Sequence, residues 1–361
     1  MDKWGKYASG LRAIMEWIDD TRRHLGKILD SMGLGPQETP YQIIATFDGA
    51  RLRKYDHDES SGPNVLIIPA PFKRAYIWDL IPDVSVVRRC LEQGMQVFLL
   101  EWTTPNQQEF GLREYTDTLP LTAVNAIKAN TQCQAPVLLG HSLGGTFAAI
   151  FASLFPERVH GLVLVDTPLA FGQEGGPLAE AIAKIPDLNL FHAFTGNAVS
   201  GTLINLLSLA AAPEVFHFQT LSDLAACSFN PKAMEIHARV SRWAYDEFPL
   251  PWRLFEEITE QLFRNNAFLQ GGLKIGKRYT SLAQLRSPTL AIVNPFGGVV
   301  PPDSLIKGLQ STQAQPFKVL IYESDCGPVI QHLGPLVSQL AHQQLWPQIL
   351  DWIIQTTTKH N

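Results

Sequence analysis

Pro136-Val-Leu-Leu-Gly140-His-Ser142-Leu-Gly144-Gly-Thr-Phe-Ala-Ala-Ile150 is the stretch that decides the reading of this chain. An apolar run of strand length ends at Gly140, and an Ala-rich run of helix character opens at Leu143. Between them, Gly140-x-Ser142-x-Gly144 has the form of a nucleophile elbow, a sharp strand-to-helix turn that holds one serine in a strained backbone conformation. Such a turn closes only where neighbouring side chains are missing. Gly140 and Gly144 supply that room, and Gly145 allows close packing between helix and strand. Ser142 is therefore the candidate nucleophile. The Leu143 amide, at the helix N-terminus, is the first candidate oxyanion donor.

Short β-rich runs recur on both sides of this elbow: Val65–Ile68, Val97–Glu101, Pro136–Leu139, Leu162–Val165, Leu290–Val293 and Val319–Tyr322. Helical stretches near 79–93, 112–130, 143–155 and 337–355 separate them. Continuous apolar strands alternating with helices predict a mostly parallel sheet buried on both faces. Asp48-Gly49, between Ile43–Phe47 and Arg51–Tyr55, predicts a hairpin ahead of it. The interval from about 170 to 287 breaks the rhythm. Its apolar helical pieces Ala179–Ile185, Leu203–Ala211 and Leu221–Ala226 predict a helical cap over the carboxyl edge of the sheet, where open α/β sheets hold ligands. The expected divisions are an N-terminal amphipathic helix (1–38), a core in two parts (39–170 and 287–361) and the inserted cap (171–286).

In the N-terminal segment, Trp4, Tyr7, Leu11, Ile14, Ile18, Leu25, Ile28 and Met32 form one apolar stripe that Gly33, Gly35 and Pro36 end. It reads as a helix packed on its own domain; the alternative is a surface for a partner, an apolar body or a second copy of the chain. With 29 basic and 34 acidic residues among 361, the net charge of -5 argues against nucleic acid as a partner. Four cysteines, at 90, 133, 227 and 326, are too scattered for a disulfide scaffold or a zinc knuckle. No apolar run is long enough to span a membrane, and the first residues lack a signal-peptide pattern, so a cytoplasmic location is expected.

A serine nucleophile needs a base from later in the chain. His332, in Asp325-Cys-Gly-Pro-Val-Ile-Gln-His332-Leu-Gly334, follows the last strand candidate and is expected in a loop before a helix. That is where an α/β-hydrolase places its base. His141, inside the elbow, reads as a packing or orienting residue, and His342 as surface or packing.

Several ordered blocks make the chain resemble the polyhydroxyalkanoate synthase family, nearest in length to its short, two-component class. They are Pro69-Ala-Pro-Phe-Lys-Arg-Ala-Tyr-Ile-Trp-Asp79-Leu80, Glu101-Trp102 with Pro105, the elbow followed by Phe155-Pro-Glu-Arg-Val159, Gly272-Leu-Lys-Ile-Gly276, Val300-Pro-Pro302 and His332-Leu-Gly334. The resemblance runs from about Thr39 to Trp352. It implies an α/β-hydrolase fold, a hydroxyacyl thioester or polyester substrate, no cofactor, and association with polyester granules or a partner subunit.

Two departures stand out. The family's nucleophile is a cysteine, whose thiolate suits transfer of a growing chain between thioesters; Ser142 here favours esterase-like chemistry. The family's acid precedes the Val-x-Pro-Pro block, but Asn294-Pro-Phe-Gly297-Gly298-Val-Val-Pro-Pro302 has glycine there. Asp166, at the end of Leu162–Val165, can replace it, holding the tautomer of His332 and stabilising its cationic form. Asp303, Asp325 and a Ser–His dyad without an acid are the alternatives. For the second oxyanion donor, Pro71 has no amide hydrogen, which leaves Phe72 in the same loop.

The expected enzyme is thus a serine hydrolase or acyltransferase. Synthase activity and a catalytically degenerate scaffold subunit are the competing readings. Gly271–Arg278 mimics a phosphate loop but lacks the following Ser or Thr. The run 56–59 reads as a solvated loop and Cys326 as a structural thiol. Phe191, Phe194, Phe216 and Phe218 in the cap fit either an apolar tunnel or core packing.

Overall fold

The computed structural model describes residues 2–55, 62–106, 109–131, 135–211, 230–314, 317–323 and 328–358. The chain starts with helix α1 (Asp2–Leu29), which runs into a short π turn ended at Gly33, where φ is +80°. The hairpin β1 (Gln42–Phe47) and β2 (Ala50–Tyr55) follows, turning at Asp48-Gly49 as the sequence predicts. Gly49 has φ +85°, and a Cβ there would strike the Phe110 ring.

The chain continues through β3 (Asn64–Ile68), α2 (Val86–Glu92), β4 (Gln96–Trp102), α3 (Leu119–Thr131), β5 (Val137–His141), α4 (Leu143–Leu154) and β6 (Gly161–Val165). After the inserted segment come β7 (Thr289–Val293) and β8 (Phe317–Ile321). The strand order is β1-β2-β4-β3-β5-β6-β7-β8. β1 and β2 pair antiparallel, and so do β2 and β4; every pair from β4 to β8 is parallel.

Alternation along the buried strands divides the core in two. Leu66, Ile68, Phe98 and Leu138 face α4 on one side; Val65, Ile67, Val97, Val137 and Val163 face the C-terminal helices on the other. All five residues of each of β3, β5 and β6 are buried, as a doubly covered parallel sheet requires. The helix expected at 79–93 is confined to α2. Asp79 instead accepts hydrogen bonds from Ser85 Oγ (2.5 Å) and Thr39 Oγ1 (3.0 Å), and Pro82 opens a separate 3₁₀ turn. These side-chain bonds hold the backbone out of a helix.

Between β6 and β7 lie α5 (Gly176–Ala183), α6 (Leu188–Thr195), α7 (Gly201–Ala211), α8 (Pro231–Ala244) and α9 (Trp252–Glu257). The helical piece expected at 221–226 lies outside the described residues. Phe191 packs on Phe255 and Trp252 and so joins the core cluster on the α4 side of the sheet; Phe216 and Phe218 lie outside the described residues. The Gly271–Arg278 stretch builds a small hairpin, Leu273–Ile275 with Arg278–Thr280, and Arg278 pairs with Asp117 at 2.7 Å.

α1 packs on α6, α7 and α8 with most of its stripe turned outward, Ile18 being half-buried. Its inward face is polar. Asp19 is buried and accepts from the Thr202 amide (2.9 Å), and Arg22 donates to Glu247 (2.9 Å) and to the Ala244 carbonyl (2.9 Å). Leu11, Ile14, Trp17, Leu25, Ile28 and Met32 are exposed, Trp17 and Met32 at 68%. The helix thus docks on its own domain while its apolar side points outward. No described helix is long and apolar enough to cross a membrane.

Candidate active site

The elbow forms where the sequence places it. Ser142 stands between β5 and α4 with φ 54° and ψ -134°, a region that L side chains rarely adopt. The surroundings over-determine it. The Ser142 amide donates to the Val165 carbonyl (3.0 Å), and its carbonyl accepts from the Gly145 (2.9 Å) and Thr146 (3.2 Å) amides. A Cβ on Gly140 would collide with Gly145. One on Gly144 would collide with the backbone of Ile68 and Pro69, and one on Gly145 with Thr167. The missing side chains therefore let β5, the loop after β3 and the segment after β6 converge beneath Ser142, which is itself only partly buried.

Leu143 begins α4, where the first amide of a helix has no intrahelical acceptor. The loop after β3 touches the elbow through residues 68–70. Phe72 lies two residues beyond that contact, with its carbonyl accepting from the Phe248 amide at 3.0 Å.

β6 ends on Asp166, which has φ +39° and is 4% exposed. Its Oδ1 accepts from the Asn294 amide at 2.9 Å, while Oδ2 is buried without a hydrogen-bond partner among the described residues. Burial lifts this carboxyl to about 7, against the smaller opposing effect of the Asn294 amide. Asn294 opens the loop where the resemblance implies an acid. Asp166 reaches that loop from the neighbouring strand.

His332 departs from its expected place. It lies within a helix, α10 (Pro302–Gln310) having been followed by β8 and then by α11 (Pro328–Val337), and not in a loop ahead of one. Pro335 interrupts the α11 ladder because it has no amide hydrogen. The His332 carbonyl accepts from the His141 Nε2 at 2.7 Å, and the two rings lie 4.4 Å apart between centroids. His141, the residue before Ser142, thereby brings His332 to the elbow. Its ring is buried, which lowers its pKa to about 4; burial likewise holds His332 well below the usual histidine range, with His141 adding a smaller push. Both rings are neutral at pH 7, the state a base requires.

Ligand atoms of His141, Asp166 and His332 all lie within 4.8 Å of one another. Such a trio has the donor atoms of a divalent-ion site, and two of its members, Asp166 and His332, are the candidate acid and base. Asp303 is exposed in the first turn of α10 and stands outside the trio. Asp325 and Cys326 lie outside the described residues, as do residues 56–59. His342 is buried, with its Nε2 bonded to the Leu336 carbonyl (2.8 Å) and its ring stacked on Trp346. It belongs to packing. The contribution that sequence reasoning did not resolve is the Asn294 amide; its one signal was its position in the stretch that lacks the expected acid.

The alpha/beta hydrolase fold family matches residues 65–335, from β3 through the helix that carries His332. The chain belongs to that family. Within it, the resemblance to polyhydroxyalkanoate synthases holds over most of the chain. It is 26% identical over 340 residues to a poly(3-hydroxyalkanoate) polymerase subunit PhaC of Haloferax mediterranei, covering 88% of this chain and 64% of that protein. Against the PhaC subunit of Thiocystis violacea it is 26% identical over 345 residues, covering 94% and 95%. Among solved structures, a carboxylesterase from Nitrososphaera gargenis aligns with a TM-score of 0.52 at 13% identity, over 89% of this chain and 100% of that one. A monoacylglycerol lipase from Paleococcus ferrophilus aligns with a TM-score of 0.52 at 13% identity, over 85% and 99%. These structures share the hydrolase fold. Fold and relatives together point to an enzyme, a hydrolase or an acyltransferase.

Proposed function

We propose that this alpha/beta hydrolase is a serine-dependent acyl-transfer enzyme acting on hydroxyacyl esters or hydroxyacyl-CoA thioesters. The observation that carries the reading is the strained, partly exposed Ser142 next in the chain to His141, whose ring lies within a few ångströms of His332 and of Asp166, one carboxylate oxygen of which has no hydrogen-bond partner among the described residues. Ser142 Oγ attacks the substrate carbonyl and passes its proton to the His332 ring. The Leu143 amide and an amide of the loop after β3, that of Phe72, receive the oxyanion. Asp166 stabilises the imidazolium. Collapse of the tetrahedral intermediate expels the thiolate or alkoxide, which takes the proton back from His332, and an acyl-serine remains.

The acceptor decides the outcome. Water releases a free hydroxy acid; the hydroxyl end of another hydroxyacyl chain extends a polyester. Ser142 in place of the family's cysteine favours water, because an oxygen ester exchanges less readily than a thioester. The names of the relatives favour polymer synthesis. A fluorophosphonate probe followed by mass mapping of the adduct tests the shared first step. Labelling at Ser142 that is lost in Ser142→Ala is expected; an unlabelled wild type would favour a degenerate scaffold subunit. Hydroxybutyryl-CoA then separates the outcomes, free acid against insoluble polymer.

The outward stripe of α1 supports an association as well. Each exposed large apolar side chain forgoes about 1.5–3 kcal/mol of burial, whereas each hydrogen bond on the inward face contributes about 1 kcal/mol. That balance favours the observed orientation when something apolar covers the stripe. A polyester surface, a partner subunit or a second copy of the chain would each do so.

A further inference from the structure

The loop after β3 is not held by the core alone. Residues 243–248, the last turn of α8 and the segment after it, grip it at several points. The Phe248 amide donates to the Phe72 carbonyl (3.0 Å), the Trp243 indole donates to the Arg74 carbonyl (2.8 Å), and Arg74 pairs with Asp246 (2.8 Å) while stacking on the Phe248 ring. At the centre of the grip is Glu247, whose side chain is 4% exposed. One carboxylate oxygen pairs with Lys73 and the other with Arg22, at 2.9 Å in the latter case; the two cations' side chains are each 16% exposed. Lys73 and Glu247 also form an antiparallel backbone bridge. Arg22 comes from α1, the helix that looks like an appendage.

We infer that the N-terminal helix positions the oxyanion loop, through the buried relay Arg22–Glu247–Lys73. Lys73 adjoins Phe72, so the relay ends one residue from a candidate oxyanion donor. The charge arithmetic gives Glu247 its role. The Glu247 carboxylate lies between two largely desolvated cations, and removing its charge leaves Arg22 and Lys73 in mutual repulsion with little water to screen them. The repulsion is relieved by moving Lys73, which drags the Phe72 backbone with it. Removing Arg22 instead leaves Glu247 one cation short and frees the 243–248 segment from α1. Space on one side of Glu247 is tight, since a Cβ on Gly201 would meet its carboxylate. Arg22, Glu247 and Lys73 are positioning residues: none of them is placed against the reacting atoms.

The inference rests on the acyl-transfer reading above, and the test keeps the two apart. The full chain is compared as wild type, Glu247→Gln, Arg22→Ala and Arg22→Lys, by the rate of fluorophosphonate labelling at Ser142 and by kcat and KM for a short-chain p-nitrophenyl ester. Glu247→Gln is expected to slow labelling and lower kcat at least tenfold with KM changed less than twofold. Arg22→Ala should do so about fivefold, and Arg22→Lys should recover to within twofold of wild type. A simple loss of folded protein would lower the labelled fraction without changing the rate constant. Wild-type rate constants in folded Arg22→Ala and Glu247→Gln would overturn the inference. If Glu247→Gln does not fold, the Arg22 pair decides alone. An unlabelled wild type would overturn the acyl-transfer reading itself, and the relay with it.

Discussion

α4 and α1 are both rich in apolar residues, and they place them in opposite ways. α4 buries every residue from Gly144 to Ser153 between the sheet and its covering layer. α1 turns Asp19 and Arg22 inward and leaves Leu11, Ile14 and Trp17 in the open. The difference teaches what an apolar stripe means. It marks the surface that gains by leaving water, not the identity of what covers it. For α4 the covering surface is the next strand, a few residues away. For α1 the cap offers buried polar partners, Thr202 and Glu247, and their satisfaction fixes the docked face.

Substitutions can break or sharpen this contrast. The largest effect is expected from Gly144→Ala in α4, where the new methyl would enter the backbone of Ile68 and Pro69. Backbone has no alternative rotamer, so a loss of about 3 kcal/mol in urea unfolding is expected, together with loss of labelling at Ser142. Native stability in that variant would mean that the loop after β3 is not seated on α4.

The next effect concerns the strand end beneath α4. In the folded chain Asp166 holds its proton to about 7, and in the unfolded chain only to its ordinary value of 3.8. The folded state therefore binds the extra proton between these values. Stability contributed by this group falls as pH rises from about 4 to about 7 and is constant above. Asp166→Asn removes that penalty, worth at most about 4 kcal/mol by the size of the elevation. The variant should unfold at higher urea than wild type at pH 8, with the gap closing toward pH 4. Turnover should move the other way. Wild-type kcat is expected to fall as pH drops through about 7, whereas the variant should be about a hundredfold slower and show no such limb. An unchanged rate would remove Asp166 from the mechanism.

The smallest effect belongs to α1. Ile14→Ser and Trp17→Ser should leave stability within about 0.5 kcal/mol, whereas Asp19→Ala on the polar face should cost about 1–2 kcal/mol. Thermal unfolding of the three variants ranks them, and the reverse order would mean that the stripe is the packed face.

Much of the core was legible because its signals are local. Val65–Ile68, Val97–Glu101 and Leu162–Val165 were each predicted to within one or two residues of the observed strands, since unbroken apolar runs of that length fit a doubly covered sheet. Gly140, Gly144 and Gly145 announced a close approach of backbones, and the structure supplies the approaching segments. What stayed hidden depended on distant partners. The stretch 79–85 reads as helical until Asp79 is seen bonded to Thr39 and Ser85. His332 reads as a loop residue until α11 is seen to contain it and to continue past Pro335.

The elbow, the sheet and the existence of an amphipathic first helix are written in local pattern, because spacing and residue size act over a few positions. Folding adds that Asp166 meets the loop at Asn294, that His141 holds the His332 backbone, and that α1 presents Asp19 and Arg22 to Thr202 and Glu247. Each of those choices sets one polar group against another more than 100 residues away. No local pattern encodes such a pairing; the cost of burying an unpaired polar group selects it once the chain is folded.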